Sequence, residues 1–109
     1  NGFCKDIAIF SEYEIYFISG DVYAEGNVDA YNFISRTTFT FVPRQANELN
    51  FGLAYDRKNF VMYVGVAASN FTSSGKFRVY GVGGDLLNEY SITTGTSIGI
   101  APRRIVVKN

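Results

Sequence analysis

The chain has no histidine, no tryptophan and a single cysteine, Cys4. Without histidine it lacks the usual general base and the commonest metal ligand. Nucleophiles that work through a histidine partner are excluded as well. One cysteine cannot close an internal disulfide, and a zinc site needs several Cys or His ligands. Cys4 follows Phe3 near the N-terminus and reads as a small apolar packing residue rather than a reactive thiol. No cofactor and no metal site are therefore expected. An excess of one charge is also missing, since ten Lys and Arg balance ten Asp and Glu. Nucleic acid and anionic membranes both select a basic excess, so neither is an expected partner. No apolar run approaches the roughly 18 residues of a membrane-spanning helix, so membrane insertion is not expected. No basic-then-apolar leader is visible. A start at Asn1 rather than Met suggests a fragment of a longer chain.

Aromatic residues are plentiful: ten Phe and eight Tyr make 17% of 109 residues. That length fits one domain, residues 1–109, able to hide about two thirds of its unfolded surface. A β-domain of this size needs few large rings inside. The surplus fits a binding or subunit surface, where Tyr joins apolar area to a hydroxyl.

Nearly every segment alternates or is rich in β-formers. Residues 6–10 (DIAIF) put Ile7 and Ile9 on one face. Residues 13–19 set Tyr13, Ile15 and Phe17 against Glu14, Tyr16 and Ile18. A turn at 25–27 (EGN) precedes one long strand, or two strands bent near Arg36, ending at Pro43. Along NFISRTTFTF (32–41), Phe33, Phe39 and Phe41 share a face and are expected in the core. Ile34, Arg36, Thr38 and Thr40 share the other face. Further strands are expected at 49–55, 60–67, 76–82, 86–93, 96–101 and 103–108, with turns at 56–59, 83–85 and 94–95. Residues 60–67 (FVMYVGVA) are apolar on both faces and should form a central strand covered twice. No window shows capped helical spacing. The expected fold is all-β: an antiparallel two-sheet sandwich or jelly roll of about eight to ten short strands.

Catalytic signals are weak. GVGG (81–84) lacks a following helix and a Lys-Ser/Thr pair, so it reads as a hairpin turn rather than a phosphate loop. Glu12 with Glu14, or Asp85 with Glu89, could pair as in glycosidases, but solvated strand positions explain them more simply. The sequence is expected not to be an enzyme. NFT (70–72) matches a glycosylation sequon in a loop. Arg36, Arg44, Arg103 and Arg104 read first as scattered surface charge. The sharper reading gathers Arg44, Arg103 and Arg104, each beside or near a proline, around a small carboxylate or acidic sugar held by forked hydrogen bonds.

An all-β, aromatic-rich, charge-neutral chain without catalytic residues resembles the head domain of a trimeric phage or viral fibre. Tail-fibre and tail-needle knobs, and the wider group with a jelly roll like that of tumour necrosis factor, share this style along the whole chain. The resemblance implies a homotrimer on the virion surface, whose exposed loops meet a glycan or protein of the host cell. It carries over no site residue. The face of Ile34, Arg36, Thr38 and Thr40, with Tyr63, Tyr80 and Tyr90, is the candidate subunit interface, because β-branched side chains lose little rotamer freedom on association. Two other classes compete: an extracellular carbohydrate-binding or lectin-like monomer, and a capsid or pilus subunit. Mass in solution separates the three.

Overall fold

The computed structural model describes residues 3–20, 26–68 and 75–91. Eight strands and no helix occupy them. The first sheet contains β1 (Phe3–Ser11), β2 (Glu14–Gly20), β3 (Val28–Asn32) and β4 (Thr37–Val42), in that spatial order. The second contains β5 (Glu48–Asp56), β6 (Val61–Ala68), β7 (Lys76–Gly81) and β8 (Leu86–Ser91), again in sequence order. All pairings are antiparallel. The expected sandwich is present, and β6 lies inside its sheet between β5 and β7. Among the described residues the strand order is that of two successive meanders, without the Greek-key exchange of a jelly roll. The expected strands at 96–101 and 103–108, and the sequon at 70–72, lie outside the described residues.

The core forms where the two sheets face each other. Tyr16, Ile18, Val28, Ala30, Phe41 and Val42 of the first sheet meet Leu53, Met62, Val64, Val66 and Tyr80 of the second. Ile18, Val28, Val64 and Val66 are wholly buried, and each such side chain contributes roughly 1.5–3 kcal/mol of transfer free energy. Phe10 and Tyr55 extend the core, with Phe10 between the rings of Tyr16 and Tyr55 at 5.3 and 4.8 Å. Burial in this setting, with Glu14 and Tyr55 adding smaller effects, raises the Tyr16 phenol to about 12. A smaller cluster of Leu49, Phe51 and Ala67 lies across β5–β6, so β6 is buried on both faces over Val64–Ala67, whereas Val61 and Tyr63 are half-buried and Phe60 is exposed.

Alternation alone left the inward face of β1 and β2 undecided, and the structure settles it. Ala8, Tyr16 and Ile18 point inward, which turns Ile7, Ile9, Ile15 and Phe17 outward. The expectation for the opening phenylalanines is corrected in two places. Residues 33–36 form the hairpin turn between β3 and β4, which puts Phe33 on the surface at 52% exposure. Phe39 shares a side with buried Ala30, yet it sits on the edge strand of its sheet and is 47% exposed. Only Phe41 enters the core. It does so through a bulge, because Val42 and Thr40 pair with successive residues Val28 and Asp29 and leave Phe41 unpaired.

Two hairpins use the same turn. Asn32 Oδ1 accepts the N–H groups of Ile34 and Ser35, and Arg36 then takes φ 58°. Asp56 Oδ1 accepts those of Lys58 and Asn59, and Phe60 takes φ 57°. An Asn or Asp side chain mimics a backbone turn in this way, and here it holds a residue other than glycine in the left-handed region. The 56–59 turn thus rests on hydrogen bonds to Asp56, which also keep that carboxyl below its ordinary value, with the Asn59 side chain the largest cause. GVGG is a hairpin turn as expected. Gly84 has φ 92°, and a Cβ there would stand 3.2 Å from the Phe41 carbonyl oxygen, so both conformation and space call for glycine.

Candidate functional site

The two sheets meet closely along one edge and part along the other. At the closed edge β1 lies beside β5. Asp6 reaches across, its Oδ2 accepting the Leu53 N–H at 2.8 Å. Asn50 is buried and donates to the Gly26 carbonyl at 2.7 Å. The Lys5 ammonium sits 5.0 Å from the centre of the Phe51 ring.

At the opposite edge, β4 and the loop after it stand off from β7 and β8 and leave a cleft of about 410 Å³. Its apolar wall comes from Phe41, Val42, Pro43 and Leu86, and its polar groups from Gln45, Arg78 and Glu89. Register explains the polar side. Arg78 is opposite Val64 on one strand and Glu89 on the other, so all three share the inward face. Arg78 donates through Nη1 and Nη2 to the two oxygens of Glu48 at 2.6 and 2.9 Å, and through Nε to Glu89 Oε1 at 2.7 Å. The first pair is the forked arrangement that makes arginine–carboxylate bonds strong. Lys76 adds a contact to Glu48 at 3.4 Å. The Arg78 hydrogen bonds hold the Glu48 carboxyl below its ordinary value against the opposing effect of burial. The same bonds raise the guanidinium still further. Two cations and two carboxylates balance, so the cleft floor carries no net charge.

The residues singled out from sequence do not gather in one place. Arg44 is exposed. It donates through Nη1 to the Glu48 carbonyl at 3.1 Å, and its N–H is bound to Asn27. Arg103 and Arg104, its proposed partners in holding a carboxylate, lie outside the described residues. Thr38 and Thr40 are on the outer face of the first sheet, opposite Tyr31 and Asp29. Ile34 and Arg36 occupy the β3–β4 turn. Tyr63 and Tyr90 are on the far side of the molecule, flanking Phe77 with ring centres 6.4 and 4.9 Å from it. Tyr80 is a correction. It is 6% exposed between the sheets and belongs to the core, because it pairs with Met62 on the inward face of β7. Cys4 is likewise exposed rather than packed. The carboxylate pairs also separate. Glu12 lies in the β1–β2 turn while Glu14 is on β2, and Asp85 lies in a turn while Glu89 is bound to Arg78.

What the arginine reading passed over is Arg78. The local pattern pointed the other way: Phe77 and Val79 are the apolar pair of KFRVYGV, so alternation alone turns Lys76, Arg78 and Tyr80 outward, whereas the structure places Arg78 and Tyr80 inward and Phe77 beside Tyr63 and Tyr90.

The outer face of the first sheet has a different character. Ile7 pairs with Phe17, which pairs with Asp29, and Ile9 pairs with Ile15, which pairs with Tyr31. Ile9 is 71% exposed and Ile7 51%. The Phe33 ring meets Tyr31 edge to face at 5.1 Å. Asp29 is the single charged side chain at the paired positions of this face.

No family model matches the chain, and no curated protein matches it. A solved structure of a protein of unknown function from Bacteroides caccae superposes with a TM-score of 0.57 at 12% identity. The match covers 91% of this chain and 32% of that one, so the chain spans about a third of the length of that protein. At this identity the likeness speaks for the fold alone.

Proposed function

We propose that the chain is a non-enzymatic binding or structural module that works in several copies, packed through the outer face of its first sheet. The trimeric head of a phage or viral fibre, presented on a virion to a host surface, is the form of this reading that the sequence style suggests. One observation carries it: a β-sheet face with Ile7 and Ile9 exposed, and Ile15, Phe17 and Tyr31 half-buried beside them, has a single charge at its paired positions. Monomeric proteins rarely leave large contiguous apolar patches in water. A second copy suits the face because the chain has no net charge to repel it. Thr38 and Thr40 at its margin also lose little rotamer freedom on contact.

A stable contact of this kind should bury at least about 1,000 Å² in total. Sedimentation equilibrium tests the reading. The expected result is a species near three times the 12.1 kDa chain mass, reduced to monomer by Ile9→Glu. A single 12.1 kDa species at micromolar concentration overturns it and leaves the carbohydrate-binding monomer as the better class.

A further inference from the structure

We infer that the cleft at the open edge binds an uncharged, polyhydroxylated ligand, a neutral saccharide. This goes beyond the assembly reading and stands without it, since the cleft and the apolar sheet face are built from different residues on opposite sides of the first sheet.

The floor of the cleft decides the charge of the ligand. An anion would be drawn to Arg78, but both Glu48 oxygens and Glu89 Oε1 already occupy three of the five guanidinium donors. Lys76 is likewise held at Glu48. A carboxylate ligand would find only the two remaining guanidinium N–H groups, beside two carboxylates that already neutralise the charge. A cation would meet two carboxylates whose charge Arg78 and Lys76 offset. A neutral ligand meets neither penalty.

The remaining groups suit hydroxyls. Glu89 lines the cleft, and its Oε2, 3.9 Å from Lys76, keeps capacity to accept a hydroxyl. The Gln45 amide offers both donor and acceptor on the opposite lip, and a hydroxyl can serve as either partner. Phe41, Pro43 and Leu86 supply apolar surface for the C–H face of a sugar ring. A volume of about 410 Å³ falls within the usual range of small-molecule sites, which combine apolar walls with a few placed polar groups. Arg78 is the positioning residue: one of its three bonds fixes Glu89 and the other two tie it to Glu48, which holds the floor of the cleft in one shape before any ligand arrives.

Amide NMR titration of the full 109-residue chain tests the inference. The probes are glucose, galactose, N-acetylglucosamine and maltotriose, with sialic acid and citrate as anionic counterparts. At least one uncharged sugar is expected to give saturable shifts at the amides of Gln45, Gly84, Leu86 and Glu89. Glu89→Ala should weaken that binding at least tenfold, while Glu12→Ala in the distant β1–β2 turn leaves it unchanged. Gln45→Ala, in an exposed loop, carries the same test should Glu89→Ala fail to fold. The inference is overturned if no uncharged sugar moves these amides at its highest soluble concentration, if only sialic acid or citrate does, if the shifts map elsewhere, or if the variants bind as well as the parent.

Discussion

The closed and the open edge of the sandwich are made from the same two sheets, yet they use their polar groups in opposite ways. At the closed edge Asp6 and Asn50 are turned onto backbone N–H and C=O groups, which pairs the Leu53 N–H and the Gly26 carbonyl where β1 lies beside β5. At the open edge Arg78, Glu48, Glu89 and Lys76 satisfy one another and leave the backbone alone. Side chains that bind backbone seal an edge. Side chains that bind one another can line a space, because their outer lone pairs and donors remain turned towards it.

The largest way to break this comparison is Arg78→Ala. It leaves Glu48 and Glu89 facing each other with only Lys76 between them. Removing one partner from a largely buried pair should destabilise the fold by about 3 kcal/mol, read as a lower urea midpoint. A loss under about 1 kcal/mol would show that the network lines the cleft without supporting the fold.

Asp6→Ala attacks the other edge. It strips the acceptor from the Leu53 N–H in a partly buried setting, with an expected cost of about 2 kcal/mol. Native-state hydrogen exchange should show faster exchange at Leu53 before residues of β7 and β8 respond. Equal acceleration at both edges would mean that the edges do not open independently.

The smallest effect sharpens the electrostatic side. Arg78 hydrogen bonding lowers the Glu48 carboxyl from 4.5. A depressed carboxylate contributes stability that is complete above the unfolded value and fades as pH drops below 4.5 through the folded one. Denaturation midpoints should therefore decline on acidification below pH 4.5, and more shallowly in Arg78→Met. An unchanged slope in that variant would assign the acid sensitivity to other carboxylates.

The sequence pattern showed most of this architecture but little of its candidate site. β5, β6 and β7 follow as strands from LNFGLAY, FVMYVGVA and KFRVYGV, but their facing does not: a bulge between Asn50 and Gly52 sends Leu49 and Leu53 to different clusters, and Arg78 rather than Phe77 faces inward. β1 and β2 were legible as strands, but their facing was not, since IleXIle and TyrXIle sets are equally apolar. Packing decides between them: Ala8 leaves room for the Tyr16 and Phe10 rings, which an isoleucine in its place would fill. The bulge that carries Phe41 inward while Phe39 stays half exposed was invisible as well, because a bulge is a mismatch between two strands and neither strand contains it alone. The cleft was hidden for the same reason. It exists because the sheets diverge, and divergence depends on distant contacts at the closed edge rather than on any local run of residues.

The two-meander order also sets the path by which the molecule can fold. Every strand pairing among the described residues joins neighbours in sequence, so each sheet can assemble by successive short loop closures with modest entropic cost. Contacts between the sheets are the ones that span long stretches of chain, such as Asp6 to Leu53 and Phe41 to Tyr80. Local pairing of this kind favours fast formation. Each sheet is thus built from one contiguous stretch of the described chain, Phe3–Val42 and Glu48–Ser91, and none of these strands has to thread between two others.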